Sequence, residues 1–442
     1  MVRTLTQPHR QDLRLSAHHM SGRHLRPVRL FLAVGALSFA LILALSGIWT
    51  LENWAHYDQL TYHLPYVNLL IERGLDPFGP SLSATTPGVH LLHAALALVS
   101  GEVPLQPQSW LIPVAGSAIA ALTLACLAVC HRSIARNWAW SPLLLLPVLS
   151  SQYFILAGAY LVTEGLGYLF LCVFLLMARP ETRPEPYPQR RQWFAAAALA
   201  GLVLTRQIYL PAAMVMLLAL MAVAARPRPA GRLQQALLVM LPALAFLPFL
   251  LHWKGLVPPG FAVHKSSGLN LPAMLQSIAL LGLLALPLLP ALWRAGSKCN
   301  RAIILLAVAL ALLPMLFAAT DFNTDAGRFG SLVWTLSRAE SAMTGLSLLI
   351  YILFAAGAFV LGHALVSGVH MVGLAALGYI TYSAALCFQL YAWQRYSEVF
   401  ALILISLFAA TLLPRRPRHE TIIFTGFFAI WFAATLAMRA GG

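Results

Sequence analysis

The sequence has few charged residues. Asp, Glu, Lys and Arg make up only 10% of its 442 residues, whereas 60% are hydrophobic and the mean hydropathy is +0.77. Soluble domains carry about 25% charged residues, so this composition excludes an ordinary soluble protein. Several apolar runs also reach the roughly 20 residues that a helix needs to cross a bilayer. We therefore expect an all-α integral membrane protein with many transmembrane helices.

Cysteine is scarce as well, and its spacing indicates neither disulfides nor a metal site. The chain has no Cys-x-x-Cys motif and no paired cysteines in the predicted outer loops. Cys126 and Cys130 share a helix face, where a metal or redox pair is one interpretation and small buried side chains are the more common one. His90 and His93 have no third ligand at suitable spacing, which favours a place at the membrane interface over metal binding. The five cysteines lie in or beside apolar runs: Cys126, Cys130, Cys172, Cys299 and Cys387.

Lysine is nearly absent, since 26 of the 29 basic residues are arginine. An excess of Arg over Lys is associated with GC-rich genomes, which favours a bacterial source. In a soluble protein, the net charge of +15 would suggest nucleic-acid binding. Here the basic residues lie in short loops between apolar runs, as in the cytoplasmic loops of membrane proteins. We therefore expect membrane lipids and no nucleic acid as partners.

The side on which each loop lies depends on the segment from Pro87 to Ser100. It has about 14 residues, too few to cross, so we expect an interfacial or re-entrant helix. Residues 1–28 then form a cytoplasmic basic tail, and residues 29–442 form one transmembrane domain whose first outer loop is 50–108. Residues 29–49 end without an Ala-x-Ala-like cleavage site, which predicts a retained first span. Thirteen spans follow: 29–49, 109–130, 138–157, 162–178, 193–205, 208–225, 234–252, 272–293, 302–319, 343–362, 368–388, 397–413 and 421–439.

This arrangement separates the charges between the two sides. It places 21 of the 29 Lys and Arg residues inside, as the positive-inside rule requires, with the N-terminus inside and the C-terminus outside. It also places 10 of the 14 acidic residues outside, although acids were not used to set the orientation. The outer surface is therefore the place where we expect chemistry.

The first outer loop is unusually polar from Trp54 to Gly101. An apolar chain tolerates so many Asp, Glu, His, Tyr and Pro residues only where water or a ligand reaches them. Asp58 has two interpretations: its carboxylate caps a helix, or it accepts a proton as a general base. Helical spacing predicts an interfacial helix with Leu60, Leu64, Val67 and Ile71 on one face and Asp58, Tyr62 and Glu72 on the other.

Other predicted outer helix ends carry further ionisable residues. Glu164 begins a helix, where the helix dipole favours a carboxylate and burial would raise its pKa. Arg206 and Arg395 lie at two outer junctions, where Arg either snorkels to lipid headgroups or binds a phosphate through paired hydrogen bonds. Lys265 and His264 are candidates for the same role in another outer loop.

Several short motifs follow one another along the chain: Asp58, His63 with Pro65, Asp76 with Pro77, Thr85 to Gly88, Thr163 to Gly165, Arg206 with Gln207, Lys265 to Ser267 with Gln276, and Arg395 with Tyr396. In this order they resemble the motifs of the α-1,2-glucosyltransferase family that adds the last glucose to the dolichol-linked N-glycan precursor. Three departures are Gln59 in place of a second acid, Gly268 in place of a His, and the absence of a second Pro after Pro87.

The resemblance implies a GT-C-type bundle of about 13 transmembrane helices. It also implies inverting transfer of one sugar, glucose or another hexose or pentose, from a polyprenyl-phosphate donor to a lipid-linked or cell-envelope glycan acceptor. No divalent metal or other cofactor is expected. The implied site comprises catalytic Asp58 and Glu164, donor-phosphate ligands Arg206, Gln207, Lys265 and Arg395, and substrate-binding Tyr62, His63, Thr86, His264 and Tyr396.

The expected location is the inner membrane of a bacterium with the site facing the periplasm, or the endoplasmic reticulum membrane in a eukaryote. A transporter or flippase of a lipid-linked saccharide is the main alternative, and a scaffold subunit is another. A transporter predicts ionisable residues and broken helices near mid-membrane, paired in two halves. The ionisable residues of this chain instead gather at one predicted interface, which favours an enzyme.

Overall fold

A computed structural model describes residues 28–46, 53–134, 142–179, 189–224, 229–264, 269–295, 300–317, 331–345, 347–391, 393–413 and 419–440. Its elements are helices, and the described residues contain no β-strand. The first nine are α1 (Val28–Ser46), α2 (Trp54–Asp58), α3 (Leu64–Glu72), α4 (Gly88–Ser100), α5 (Leu111–Ile134), α6 (Leu146–Leu149), α7 (Gln152–Ala159), α8 (Glu164–Met177) and α9 (Gln189–Thr205). The others are α10 (Leu210–Ala224), α11 (Pro229–Trp253), α12 (Leu271–Leu284), α13 (Leu289–Ala295), α14 (Asn300–Phe317), α15 (Leu332–Thr344), α16 (Leu349–Val366), α17 (His370–Ala385), α18 (Gln394–Leu412) and α19 (His419–Ala440).

The chain is an all-α membrane protein. Six described helices are long and apolar enough to cross a bilayer: α1, α5, α11, α16, α17 (continued to Phe388) and α18. Two bent pairs, α7 with α8 and α12 with α13, raise the number to eight if each pair is one span. The prediction of thirteen spans is not confirmed.

Residues 138–157 show why the length of an apolar run alone does not define a transmembrane helix. The described part of this segment is a 3-10 turn (Leu143–Leu145), the four-residue α6 and most of α7, rather than one helix. Eight residues of α7 rise only about 12 Å, well short of the roughly 30 Å hydrocarbon core. The axes of α7 and α8 differ by 109°, so the two predicted spans form one bent unit.

The most buried candidate span is α18. It packs against α5, α12 and α17, and nearly all of its side chains are buried. Gln394, Arg395 and Tyr396 lie in the first turn of α18 and Glu398 begins the second, so the bundle holds these residues in place from several sides.

Glycine permits close packing between α12 and α16. A Cβ atom at Gly282 would collide with the carbonyl oxygen of Leu353, and one at Gly357 with that of Ile278. Small residues let helix backbones approach closely, which is a common way to pair helices in membranes.

The first outer loop folds around a small core of its own. Leu64, Val67 and Leu70 of α3 pack against Val89 and other apolar residues of α4 and the start of α5. Helix α4 has 13 residues and rises about 20 Å, so the observed helix is too short to cross.

A π-helical turn at Gln59–His63 joins α2 to α3. Its wider spacing inserts one residue and rotates the residues that follow relative to α2. Of the apolar residues predicted to share one face, Leu64 and Val67 are buried, whereas Leu60, which precedes them in the π-turn, is 40% exposed. Gln59 and His63 are buried instead.

Candidate active site

Asp58 does not cap a helix. It is the last residue of α2, and its side chain makes no capping hydrogen bond. The cap is Asn53, whose side-chain oxygen accepts hydrogen bonds from the backbone N–H groups of Ala55 (2.8 Å) and His56 (3.1 Å). The carboxylate of Asp58 instead accepts a hydrogen bond from Nη1 of Arg395 at 2.6 Å. The capping interpretation is therefore wrong.

Arg395 is fixed by aromatic rings as well as by Asp58. Its guanidinium carbon lies 4.6 Å from the ring centre of Trp54 and 4.3 Å from that of Trp393, both within the range of a cation–π contact. The hydroxyl of Tyr168 also donates to the carbonyl of Arg395, at 3.5 Å. Only 14% of the side chain is exposed, which does not fit an Arg that snorkels to lipid headgroups.

A second ion pair joins Glu164 and Arg206. Glu164 opens α8, directly after the bend that separates α8 from α7, and Arg206 directly follows α9. Nη1 of Arg206 donates to Oε1 of Glu164 at 2.5 Å, and both side chains are about nine-tenths buried. Glu164 is thus a helix-start carboxylate, as one interpretation predicted, and is also paired with a cation.

The ring of Tyr396 connects the two ion pairs. Its centre lies 4.6 Å from the guanidinium carbon of Arg206 and 5.3 Å from that of Arg395. The two guanidinium groups are therefore no more than about 10 Å apart, although their positions in the chain differ by almost 190 residues. The predicted grouping of these two arginines is present.

Both ion pairs and Tyr396 line one cavity of about 1160 Å³. Each ion pair joins one carboxylate to one guanidinium group, so neither pair adds net charge to the cavity. The lining is otherwise largely aromatic and aliphatic, including Trp54, Tyr57, Phe261 and Trp393. Ligand sites are commonly concave and mostly apolar with a few convergent polar groups, so this cavity is the candidate active site.

Burial raises the pKa of Asp58 above its usual value, because the charged carboxylate loses hydration. Arg395 opposes this shift through its charge and its hydrogen bond. A carboxylate in this environment binds protons more readily than one in water. This property suits a general base working near neutral pH.

His63 lines the cavity and is part of a buried histidine pair. Its Nδ1 lies 3.0 Å from Nε2 of His90. Burial lowers the pKa of His63 to about 4, so its ring is neutral at physiological pH. Nδ1 of His90 is buried without a hydrogen-bond partner, and a bare nitrogen there avoids burying an unpaired N–H. That tautomer makes His90 the donor to His63 and leaves His63 a free N–H at Nε2.

His90 and His93 do not lie on a solvent-facing surface. Both are buried, and Nδ1 of His93 lies 3.0 Å from the carbonyl oxygen of Val89. The described residues contain no group of three or more His, Cys, Asp or Glu side chains that could hold a metal ion. Four cysteines are buried and free, whereas Cys299 lies outside the described residues.

Two residues predicted as substrate or phosphate ligands, Gln207 and Thr86, make hydrogen bonds to backbone groups, and Gln207 also lines the cavity. The amide nitrogen of Gln207 donates to the carbonyl of Ala84 at 2.8 Å, and its oxygen accepts from the N–H of Thr86 at 3.3 Å. The hydroxyl of Thr86 donates to the carbonyl of Val203 at 2.9 Å, and Thr86 is fully buried. These contacts attach the loop before α4 to the end of α9, so Thr86 supports the cavity wall.

The remaining predicted site residues are partly described. Tyr62 lines the cavity and is 36% exposed. His264 ends the 3-10 turn Pro259–His264, with its side chain outside the described part of the structure. Lys265 also lies outside the described residues.

Gln59 is buried and binds two backbone groups through its side chain. Its side-chain oxygen accepts a hydrogen bond from the N–H of Leu161 at 2.8 Å, and its nitrogen donates to the carbonyl of Pro107 at 3.4 Å. Leu161 lies in the break between α7 and α8. The amide of Gln59 therefore binds the π-turn to that break.

Four further residues that the sequence pattern did not single out also line the cavity: Trp54, Trp393, Gln394 and Glu398. Tryptophan is common in loops at a membrane interface, so the two tryptophans carried no specific signal. Gln394 and Glu398 are four residues apart at the start of an apolar helix, a spacing that could have identified them. Comparison with protein-family models, curated proteins and solved structures finds no match to this chain.

Proposed function

We propose that the chain is a GT-C-type glycosyltransferase that moves one sugar from a polyprenyl-phosphate donor to a glycan acceptor. One observation carries the proposal: a single cavity collects Asp58 with Arg395 and Glu164 with Arg206 from four separate stretches of the chain. The resemblance of these stretches to a glucosyltransferase family supplies the reaction class.

In the proposed reaction, Asp58 accepts the proton of the acceptor hydroxyl as its oxygen attacks the anomeric carbon of the donor. The bond between that carbon and the phosphate oxygen breaks on the opposite face, so the configuration inverts. The lipid phosphate leaves with the bonding electrons and needs no protonation to depart. Cationic groups that face the departing phosphate lower the barrier because negative charge develops there.

Both arginines retain donors for such an anion. A guanidinium has five N–H groups, and the hydrogen bond to each carboxylate uses one of them. Nε of Arg395 is buried without a hydrogen-bond partner. An unpaired buried donor costs free energy, and a phosphate oxygen would satisfy it. Arg395 and Arg206 are therefore the proposed phosphate ligands, with Lys265 a further candidate.

The clustering of charges supports the proposed orientation, with the cavity on the outer side. Asp58, Glu164, Arg206 and Arg395 are all assigned outside by the Lys and Arg distribution, and all meet at the cavity. Arg294 and Glu420, both assigned inside, pair with each other at a different place, between α13 and α19. Finding Ser133 accessible to an outside label in a cysteine variant would contradict this orientation.

Under this proposal the protein is a GT-C bundle with more spans than the six to eight identified, since several shorter apolar helices complete it. It acts in the inner membrane of a bacterium with the cavity facing the periplasm. Its acceptor is a lipid-linked or cell-envelope glycan.

A transporter of a lipid-linked saccharide is the second candidate, because two helix pairs are broken by bends of 109° and 50°. Transporters often bind substrate at paired broken helices. The first break carries Glu164, but the second contains Leu286, Pro287 and Leu288 and no ionisable side chain. This asymmetry favours the enzyme.

A transfer assay with the purified protein tests the proposal. Polyprenyl-phosphate hexoses and pentoses, and the matching nucleotide sugars, are each supplied with lipid extracts as acceptor. We expect transfer from a polyprenyl-phosphate sugar and none from nucleotide sugars. Transfer from nucleotide sugars alone, or movement of the intact lipid-linked saccharide across vesicles without transfer, would contradict it.

A further inference from the structure

A third carboxyl group, that of Glu398, lines the cavity and lacks an ionic partner. Asp58 and Glu164 are each paired with an arginine, whereas Glu398 forms no ion pair within the described part of the chain. Glu398 lies in the second turn of α18 and is only 1% exposed. No hydrogen bond reaches its Oε1, and the side chain of Ser151 is a close polar neighbour of the same carboxyl group. Burying such a group is costly unless a ligand completes its hydrogen bonds.

The neighbouring Gln394 is oriented by the backbone. Its side-chain oxygen accepts a hydrogen bond from the N–H of Leu332 at 2.7 Å, where α15 begins. This contact fixes the amide with its nitrogen toward Glu398, and that nitrogen donates to Oε2 of Glu398. Oε2 is thus occupied and the side chain is held in place, while Oε1 is left for another donor.

A hydroxyl group fits the chemistry of this position. Carboxyl and amide side chains bind hydroxyl groups through hydrogen bonds, and the rings of Trp54 and Trp393 line the same cavity. A phosphate fits less well, because a carboxyl group without a cationic partner offers an anion no attraction. The phosphate ligands, Arg206 and Arg395, pair with the other two carboxylates.

We propose that Glu398, oriented by Gln394, binds a hydroxyl group of a sugar in the cavity and thereby selects which sugar reacts. This inference rests on the glycosyltransferase function proposed above. Glu398 is a specificity-determining residue here and takes no part in proton transfer. The hydroxyl belongs either to the transferred sugar or to the acceptor glycan.

The test combines variants of Glu398 with deoxy sugars. Glu398→Met removes the hydrogen bond and keeps the volume, Glu398→Gln keeps an acceptor oxygen, and Glu72→Gln alters an exposed glutamate on α3 as the control. The donors are the polyprenyl-phosphate sugar that the wild type uses and its single-position deoxy analogues. A second set uses the acceptor with deoxy positions.

If Glu398 binds a hydroxyl, one deoxy analogue should react about 10- to 100-fold less efficiently than its parent with the wild type, since hydrogen bonds to charged groups have this effect. Glu398→Met should use this analogue and its parent equally well. We expect the variant to reach this equality mainly because its KM for the parent sugar is higher than that of the wild type. Glu398→Gln should restore part of the discrimination, and Glu72→Gln should resemble the wild type. Loss of discrimination in the donor set would assign the hydroxyl to the transferred sugar, and loss in the acceptor set to the acceptor.

Transfer by the wild type with deoxy profiles unchanged in Glu398→Met would overturn this inference alone. Absence of transfer by the wild type from every polyprenyl-phosphate sugar would overturn the proposed function, and this inference with it. If Glu398→Met does not fold, Glu398→Gln takes its place in the test. A Glu398→Gln protein with the same preference among deoxy analogues and the same KM for the parent sugar as the wild type would overturn the inference.

Discussion

Asp58 and Arg395 are 337 residues apart in the chain, yet their side chains meet at 2.6 Å. The contact joins the end of α2, in the first outer loop, to the first turn of α18, the most buried candidate span. It therefore anchors the proposed base to the most firmly packed helix of the bundle. It also places a cation beside that base within a partly apolar cavity.

Replacing Arg395 with Lys should lower transfer at least about tenfold. Lysine keeps the positive charge but cannot offer a planar fork of donors to both Asp58 and a phosphate, and it packs less well on two indole rings. The measurement is the rate of transfer from the lipid-linked donor by purified protein. Arg73→Lys, at an exposed position, is the control. An Arg395→Lys protein as active as the wild type would remove Arg395 from the donor site.

Removing one partner of the Glu164–Arg206 pair should destabilise the protein more than removing both. Arg206→Met leaves a buried carboxylate without a cation, which costs about 3–5 kcal/mol. The double variant Glu164→Gln with Arg206→Met removes both charges and should recover part of that loss. Thermal unfolding in detergent measures the difference. A double variant less stable than Arg206→Met alone would show that the two residues do not form a compensating pair.

Stability should fall as the pH is lowered from about 6.5 toward 4. Burial lowers the pKa values of His63 and His93 to about 4 and that of His90 well below its usual value, so the unfolded chain binds protons in this range that the folded protein does not. Unfolding becomes more favourable wherever the unfolded state binds more protons. The melting temperature of His63→Gln should therefore depend less on pH between 6.5 and 4 than that of the wild type. Equal pH dependence in the two proteins would contradict burial of His63 as a neutral ring.

Gly357→Ala should destabilise the bundle by about 1–3 kcal/mol, because the added methyl group meets the backbone of α12. Gly426→Ala is the matched control, since a Cβ at that position meets nothing within 4 Å. Alanine also favours a helix by up to about 1 kcal/mol relative to glycine, so the control should be neutral or more stable. Both are measured as shifts in melting temperature. A Gly357→Ala protein as stable as the control would contradict the close contact between α12 and α16.

The sequence predicted an all-α membrane protein, but its prediction of thirteen transmembrane helices is not confirmed. Apolar composition indicates a helical membrane protein because a helix satisfies its own backbone hydrogen bonds, as a chain surrounded by lipid must. It does not reveal where an apolar run bends, and the 109° break between α7 and α8 lies where Gln59 and Arg206 contact this region. These contacts connect distant parts of the chain and leave no local periodicity.

Within the site, charge at predicted outer helix ends identified Asp58, Glu164, Arg206 and Arg395. Their pairing could not be predicted, because it depends on how the helices pack. The π-turn was missed for a related reason: a single inserted residue leaves the apolar spacing of α3 intact but changes the position of Leu60 relative to it. Glu398 was overlooked because a single acidic residue near the start of an apolar helix resembles a residue at the membrane interface.

The central claim is that Asp58 acts as the base in sugar transfer, and Asp58→Asn tests it most directly. The amide retains the size of the carboxylate, and because Asn53 caps α2, the change removes no helix cap. Loss of a general base lowers the rate about 100- to 10,000-fold, so we expect purified Asp58→Asn to fold, to bind the polyprenyl-phosphate sugar and to lose transfer to this extent. Asp76→Asn, in an exposed part of the same loop, should remain active. A folded Asp58→Asn protein that keeps more than about a tenth of the wild-type rate would contradict the account.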